Sequence, residues 1–262
     1  MHRRIMRRLT SGARRPTVNP ALLPREQFSN DFHIVEFPKS GITWLSLLLA
    51  NMCLHSSGSK HVATFASVRN YIPDLNASRH ALGHEFESPQ VRFYKSHSQF
   101  EPGMIHVIYV TRHPRDVMRS YHRYLTGLGK YSDDLEAFCA NPDFGVEAWR
   151  EHVNSWLTVK VNVGNRFLHL IRYEDLLADP AQELHILSRN FGWSIAGEVI
   201  AQAVEASSRD AMREQEALAR HRNPGYNLEF VSGQKYAAMP DALARRVGNA
   251  CRKECELLGY DA

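Results

Sequence analysis

Three short segments combine residues that hold anions or move protons. The first is Phe37-Pro38-Lys39-Ser40-Gly41-Ile42-Thr43-Trp44. It follows a β-type run from His33 to Phe37 and opens directly into an apolar helical pattern from Ile42 to Leu54. A tight glycine turn between a strand and a helix N-terminus presents free backbone N–H groups and the positive end of the helix dipole to one point, which suits a phosphate or sulfate. Lys39 adds a full charge, and Ser40 and Thr43 add hydroxyls. The order differs from the GxxxxGK[ST] loop, because Lys39 precedes the glycine. Trp44 reads equally as core or as a flat platform for a nucleobase.

A second anion cradle is expected where His106 to Thr111, a continuously apolar run, leads into Arg112-His113-Pro114. Arg112 stands where a buried strand leaves its sheet, and Ser120 follows eight residues later, two turns into a helix that Pro114 opens. A guanidinium and a hydroxyl converging on one point suit a second phosphate; an ion pair between Arg112 and Asp116 is the alternative. The third segment is Tyr94-Lys95-Ser96-His97, the end of a strand from Val91 to Lys95. A histidine just past a strand end can serve as a general base, its ordinary pKa being about 6.5.

These segments need a scaffold that brings strand ends together. Strands at 33–37, 91–95, 106–111 and 167–173 are separated by helical patterns at 42–54, 114–124, 133–139, 146–159 and through most of 181–219. This alternation predicts an α/β fold: a single domain with a mostly parallel central sheet flanked by helices and a P-loop-like phosphate-binding strand-loop-helix. Ligands of such sheets bind beyond the carboxyl ends of the strands. A terminal amphipathic helix is expected from Asp241 to Leu258, with Leu243, Val247, Ala250 and Leu257 inward. Residues 221–236, polar and rich in glycine and proline signals, read as a long loop.

The chain has 262 residues, 44% hydrophobic and 23% charged, which excludes wholesale disorder and disulfide miniproteins. Its +4 charge is uneven: residues 1–25 hold seven arginines and no acid, so the remainder is net −3. Residues 1–30 therefore read as a basic, flexible arm and residues 31–262 as the folded domain, for which no nucleic-acid partner is expected. Cys53, Cys139, Cys251 and Cys255 form no CxxC pair, pointing to reduced thiols in the cytoplasm. No run is long and apolar enough to suggest a transmembrane segment. No metal site is expected.

The segments together resemble the sulfotransferases that use 3′-phosphoadenosine 5′-phosphosulfate (PAPS). FPKSGITW is similar to their 5′-phosphosulfate loop, TRHPRDVMRSY to their 3′-phosphate strand and helix, and YKSH to the Lys-x-His between them. GVEAWREHVNSWL resembles the family's Trp–His–Trp helix and IRYEDL its Tyr-Glu-Asp strand end. The resemblance implies that Lys39, Ser40, Gly41, Ile42 and Thr43 hold the 5′-phosphosulfate and that Trp44 and Tyr173 flank the adenine. Arg112 and Ser120 would hold the 3′-phosphate. His97 would act as base, with Lys39 and Lys95 at the reacting centre. Ser207, in a segment similar to the family's adenine-contacting Thr-Ser-Phe, and Gly233, in a late loop where Val231-Ser232-Gly233 replaces Arg-Lys-Gly, complete the expected nucleotide site.

The function that follows is transfer of a sulfuryl group from PAPS to a hydroxyl or amine of a small-molecule acceptor, leaving 3′,5′-bisphosphoadenosine (PAP), without a metal. Alternatives are a P-loop-type nucleotide kinase and a polyanion-binding protein using the basic arm. The acceptor is expected to meet residues 56–90 and 221–236.

Overall fold

The computed structural model describes residues 30–76, 91–159, 167–222 and 238–261. Four parallel strands form one sheet in the order β2-β1-β3-β4: β1 Asp31–Glu36, β2 Arg92–Ser96, β3 His106–Thr111 and β4 Phe167–Arg172. Between β1 and β2 lie α1 Ile42–Ser56 and the short α2 Val68–Tyr71. Between β3 and β4 lie α3 Pro114–Gly127, α4 Leu135–Cys139 and α5 Val146–Val159. After the sheet come α6 Tyr173–Ala178, α7 Pro180–Phe191, α8 Gly197–Ala206, α9 Arg209–Arg222, α10 Asp241–Ala250 and α11 Arg252–Leu258.

Both faces of the sheet are covered, and the period of two along each strand sorts the core into two layers. Ile34 of β1 with Ile108 and Val110 of β3 faces α1, α7 and α8, whereas Val35 with Val107 and Tyr109 faces α3, α5, α10 and α11. Helix α1 is buried nearly all round, from Ile42 to Leu54, because it is pressed between the sheet and α8. Trp149 and Trp156 of α5, both almost fully buried, fill the opposite layer.

Three expectations change in detail. Tyr173 does not end β4 but starts α6, since β4 stops at Arg172. Helix α9 continues through Arg222, so the expected loop begins two residues late, and the rest of it lies outside the described residues, as does residues 1–29 of the basic arm. The terminal helix is interrupted at Cys251, and its inward face is rotated: Leu243, Val247, Cys251, Cys255 and Leu258 are buried, while Ala250 and Leu257 are exposed. Free cysteine behaves as a small apolar group, and counting the two thiols as core recovers the observed face.

The sheet edge carrying β2 is pinned by charge. Asp31 is buried, and Arg92 Nε and Nη2 donate to its two oxygens at 2.6 and 2.8 Å. Replacing Arg92 with alanine leaves a buried carboxylate without its bidentate partner. A loss of about 3 kcal/mol in unfolding free energy is expected in denaturant titration; an unchanged midpoint would show that the pair does not anchor β2.

Candidate active site

The register aligns the carboxyl ends of the strands. Glu36 ends β1 opposite Val110, Val35 lies opposite Ser96, and Thr111 pairs with Arg172. The segments after β1, β2 and β3 therefore leave the sheet side by side, carrying Lys39, His97 and Arg112 to one edge.

The β1–α1 loop is held in a tight form from within. Lys39 adopts φ 76, the left-handed region that non-glycine residues rarely occupy. Glu36 supports this turn: its Oε1 accepts from Lys39 N at 3.1 Å and its Oε2 from Ile42 N at 2.7 Å. Ser40 N donates to Phe37 O, which leaves the N–H groups of Gly41 and Thr43 without a partner among the described residues. The Ser40 hydroxyl is buried and also unpartnered. Ile42, expected to present its N–H to an anion, instead gives it to Glu36.

Gly41 is required by contact as well as by its φ of 116. A Cβ there would collide with the ring of Tyr173. The same ring receives the Arg112 guanidinium at 4.5 Å and meets Trp44 edge-on at 6.1 Å. Tyr173 thus joins the lysine loop to the arginine cradle. Arg112 is not paired with Asp116, which bonds Arg119 instead, and its buried Nε has no partner. Ser120 lies buried two turns into α3, the helix that starts two residues after Arg112. Trp44 Nε1 donates to Ser207 O at 2.8 Å, and the Ser207 hydroxyl meets Asn51 Nδ2 at 2.9 Å, so Ser207 joins the α8–α9 corner to α1. Gly233 lies outside the described residues.

The last described turn fastens this edge. Tyr260 donates to Glu174 Oε2, whose Oε1 accepts from His113 N, and Arg172 Nη1 donates to Gly259 O. The neighbours of both Arg112 and Tyr173 are thereby tied together.

On the other side of the loop, residues 73–75 lie alongside β2: Leu75 N donates to Lys95 O and Lys95 N to Pro73 O, with Asp74 bridged to Lys95. Lys95 Nζ sits 3.4 Å from Asp74, and Asn76 accepts from His97 N. Burial alone would raise the Asp74 carboxyl, but Lys95 and His97 hold it below its ordinary value. The His97 ring keeps 18% of its surface open, and its Nδ1 is 3.6 Å from Glu36 Oε1. Burial, with the Lys95 charge, lowers its pKa to about 3, so the ring is neutral in physiological conditions. It borders a cavity of about 220 Å³ lined by Phe37, Phe100, Tyr121, Asp143 and His152 among others. His152 Nδ1 meets Tyr109 Oη at 2.9 Å, and Trp156 Nε1 donates to Ser98 O.

Contacts thus join Gly41, Tyr173, Arg112, Trp44 and Ser207, while Lys39, Lys95 and His97 gather around Glu36 and Asp74; Ser120 lies in α3 outside these contacts, and Gly233 lies outside the described residues. Sequence reasoning missed Glu36, Asp74, Asn76 and Asn51. Only Glu36 left a local signal, an acid closing the buried DFHIVE strand; the others act through contacts that no spacing rule encodes.

Two anion cradles and a neutral histidine at a cavity mouth define a nucleotide-dependent group-transfer protein. Residues 29–259 match the model of the sulfotransferase domain, and the chain belongs to that family, whose enzymes move a sulfuryl group from PAPS to an acceptor. It is 27% identical over 213 residues to sulfotransferase 1A1 of Bos taurus, covering 74% of this chain and 70% of that protein. Human sulfotransferase 2A1 is 25% identical over 210 residues, covering 72% and 70%. The fold resembles that of retinol dehydratase in complex with androsterone and inactive cofactor PAP, with TM-score 0.66, 15% identity and coverage of 90% and 83%. Mouse sulfotransferase SULT7A1 complexed with PAP gives TM-score 0.58 at 18% identity, with coverage of 94% and 91%.

The donors fit a bisphosphate nucleotide. The buried Ser40 hydroxyl, the Arg112 Nε and the free N–H groups of Gly41 and Thr43 are groups that an anion would satisfy. Among the described residues no cluster of His, Cys, Asp or Glu is suited to a metal ion.

Lys39 sits with its Nζ 4.5 Å from the Tyr124 ring centre, and burial lowers its pKa to about 8, opposed by Glu36 and assisted by Lys95 and Arg112. The cation is present below that pH and lost above it, while an anion binds the cationic form. Affinity for PAP should therefore weaken as pH rises from 7 to beyond 8, with the loss displaced upward in the complex. Titration calorimetry across that range checks this, and Lys39→Met should flatten the dependence.

Proposed function

We propose that this chain transfers the sulfuryl group of PAPS to a hydroxyl of a small molecule seated in the cavity beside His97. The observation that carries this reading is the placement of that cavity against the histidine, with the lysine loop immediately behind it. Lys39, Ser40, Gly41 and Thr43 would hold the 5′-phosphosulfate. Arg112 and Ser120 would hold the 3′-phosphate, and Trp44, Tyr173 and Ser207 would bound the adenine. His97 takes the acceptor proton as the acceptor oxygen attacks sulfur, and the bond from sulfur to the bridging oxygen breaks. Charge moves to that oxygen, where Lys39 meets it. By analogy with phosphoryl transfer the transition state is loose, so positioning and electrostatics supply most of the catalysis.

Lys95 assists less directly, because Asp74 shares its charge. The aromatic walls of the cavity favour an acceptor with a ring beside its hydroxyl. The androsterone and retinol complexes of retinol dehydratase are in keeping with a small apolar acceptor. The four cysteines are buried and free, which suits a reducing compartment, and we place the enzyme in the cytoplasm. No helix among the described residues is long and apolar enough to cross a membrane.

A panel of phenols and alcohols incubated with radiolabelled PAPS tests the reading directly; label that never leaves the nucleotide would reject it. His97→Ala should lower turnover by about 10²- to 10⁴-fold while PAP binds nearly as before. Arg112→Ala should weaken PAP binding by roughly 2 to 5 kcal/mol. Undiminished turnover in the first variant, or undiminished affinity in the second, would remove that residue from its role.

A further inference from the structure

Glu36 is an unusual residue to find in a phosphate loop. It is 3% exposed, it ends an inner strand of the sheet, and its carboxylate takes the N–H groups of Lys39 and Ile42, on either side of the unpartnered Gly41 N–H. Each carboxylate oxygen accepts from a different backbone N–H, so both behave as acceptors, as they do in the ionised form. Burial raises its pKa, while the Ile42 N–H, Lys95 and Lys39 oppose that rise. A buried acid kept at the cost of desolvation needs a use that a small neutral turn former would not supply.

The geometry supplies one. Glu36 Oε1, already anchored by Lys39 N, faces His97 Nδ1 across 3.6 Å, and the Glu36 backbone carbonyl also faces that ring. No group within strict hydrogen-bond distance satisfies Nδ1. The Glu36 carboxylate, facing Nδ1, favours the tautomer with the proton on that nitrogen, which leaves Nε2 as the basic nitrogen.

We propose that Glu36 is a positioning residue for His97: its carboxylate fixes the ring and its tautomer, and stabilises the imidazolium formed when Nε2 takes the acceptor proton. The inference rests on the reading of His97 as base. In the step itself, the acceptor O–H proton moves to Nε2 and the acceptor oxygen bonds to sulfur. The bond from sulfur to the bridging oxygen breaks, and its electron pair leaves with PAP. The Nδ1 proton stays on the ring, hydrogen-bonded to Glu36, as in other acid–histidine arrangements. The 3.6 Å gap is of the kind that closes when substrate is bound.

Other groups around this pair set the direction of its pH effects. Lys39 faces Glu36 from the loop, and Lys95 from β2. Tyr109 of β3 and Tyr121 of α3 feel the Glu36 charge; burial first raises both phenols, followed by Glu36 for Tyr109 and by Tyr124 and then Glu36 for Tyr121, so neither ionises in the working range. Asp74 and His152 face His97 from the segment beside β2 and from α5. Asp74 stays anionic and His152, lowered by burial to about 3, stays neutral. Of the groups around the pair, Lys39, its pKa lowered by burial to about 8, is the one that changes charge near neutrality, so the effect of Glu36 on the neutral imidazole is read on the acid limb, below pH 7.

Glu36→Gln preserves an acceptor for the loop and the backbone carbonyl but removes the charge. Expected is a fall in kcat of about 100-fold with the PAP dissociation constant within threefold, and an acid limb of the pH–rate profile moved to lower pH. Combined with His97→Ala, the Glu36 change should cost nothing further, because it acts through the missing ring. Full turnover in Glu36→Gln beside an inactive His97→Ala overturns the role of Glu36 alone. An equal further loss in the double variant does the same, showing that Glu36 acts on the loop. Normal turnover in His97→Ala overturns the base assignment itself. If Glu36→Gln does not fold, the wild-type protein decides: nitrogen-15 NMR of labelled histidine, assigned against His97→Ala, should show the Nδ1–H tautomer, and an Nε2–H ring would sink the proposal.

Discussion

The contact between Gly41 and Tyr173 is the point on which the nucleotide site depends. Gly41 has no side chain where the Tyr173 ring lies, so the first loop and the start of α6 can touch. The same ring carries Arg112 on its face. The loop after β1 and the arginine after β3 are thereby kept apart by one aromatic spacer. Neither group needs to be ordered by the other through a direct bond, which like charges would oppose.

This arrangement solves an electrostatic problem. Lys39, Lys95 and Arg112 are crowded at one edge, and burial first, then Lys95 and Arg112, lower the tendency of Lys39 to carry its charge. Glu36 and Asp74 offset that crowding from inside the sheet and from the segment beside β2. Both acids also hold backbone in place, Glu36 through the N–H groups of Lys39 and Ile42 and Asp74 through that of Asn76. A parallel sheet makes this crowding possible because all of its strands end at the same edge.

Much of the molecule was legible from residue order. HVIYVT read as a strand buried on both faces and forms β3, and Pro114 marked the start of α3 to the residue. The PKSG turn was expected to hold an anion because the required groups are adjacent in sequence, and the structure makes it the tight strand-to-helix turn that reading needs. Where reasoning fell short, the deciding contacts were distant. Asp74 reaches Lys95 only because residues 73–75 lie along β2, and Asn51 meets Ser207 across 156 positions. The terminal helix was misaligned because two thiols were discounted as core, although they complete its apolar face. Glu36 was passed over because it stands one residue before the motif, where its effect is felt through hydrogen bonds that have no counterpart in spacing.

The fastening of Glu174 and Arg172 by Tyr260 and Gly259 has a consequence for biosynthesis. During synthesis, the lysine loop and the arginine strand emerge early, and their supporting helices can pack as they appear. The brace beside Tyr173 cannot close until residue 260 has cleared the ribosome. A nascent chain halted at residue 223 would hold Lys39, Lys95, Arg112 and Tyr173 yet lack the bonds from Gly259 and Tyr260 that fasten Arg172 and Glu174 on either side of that ring.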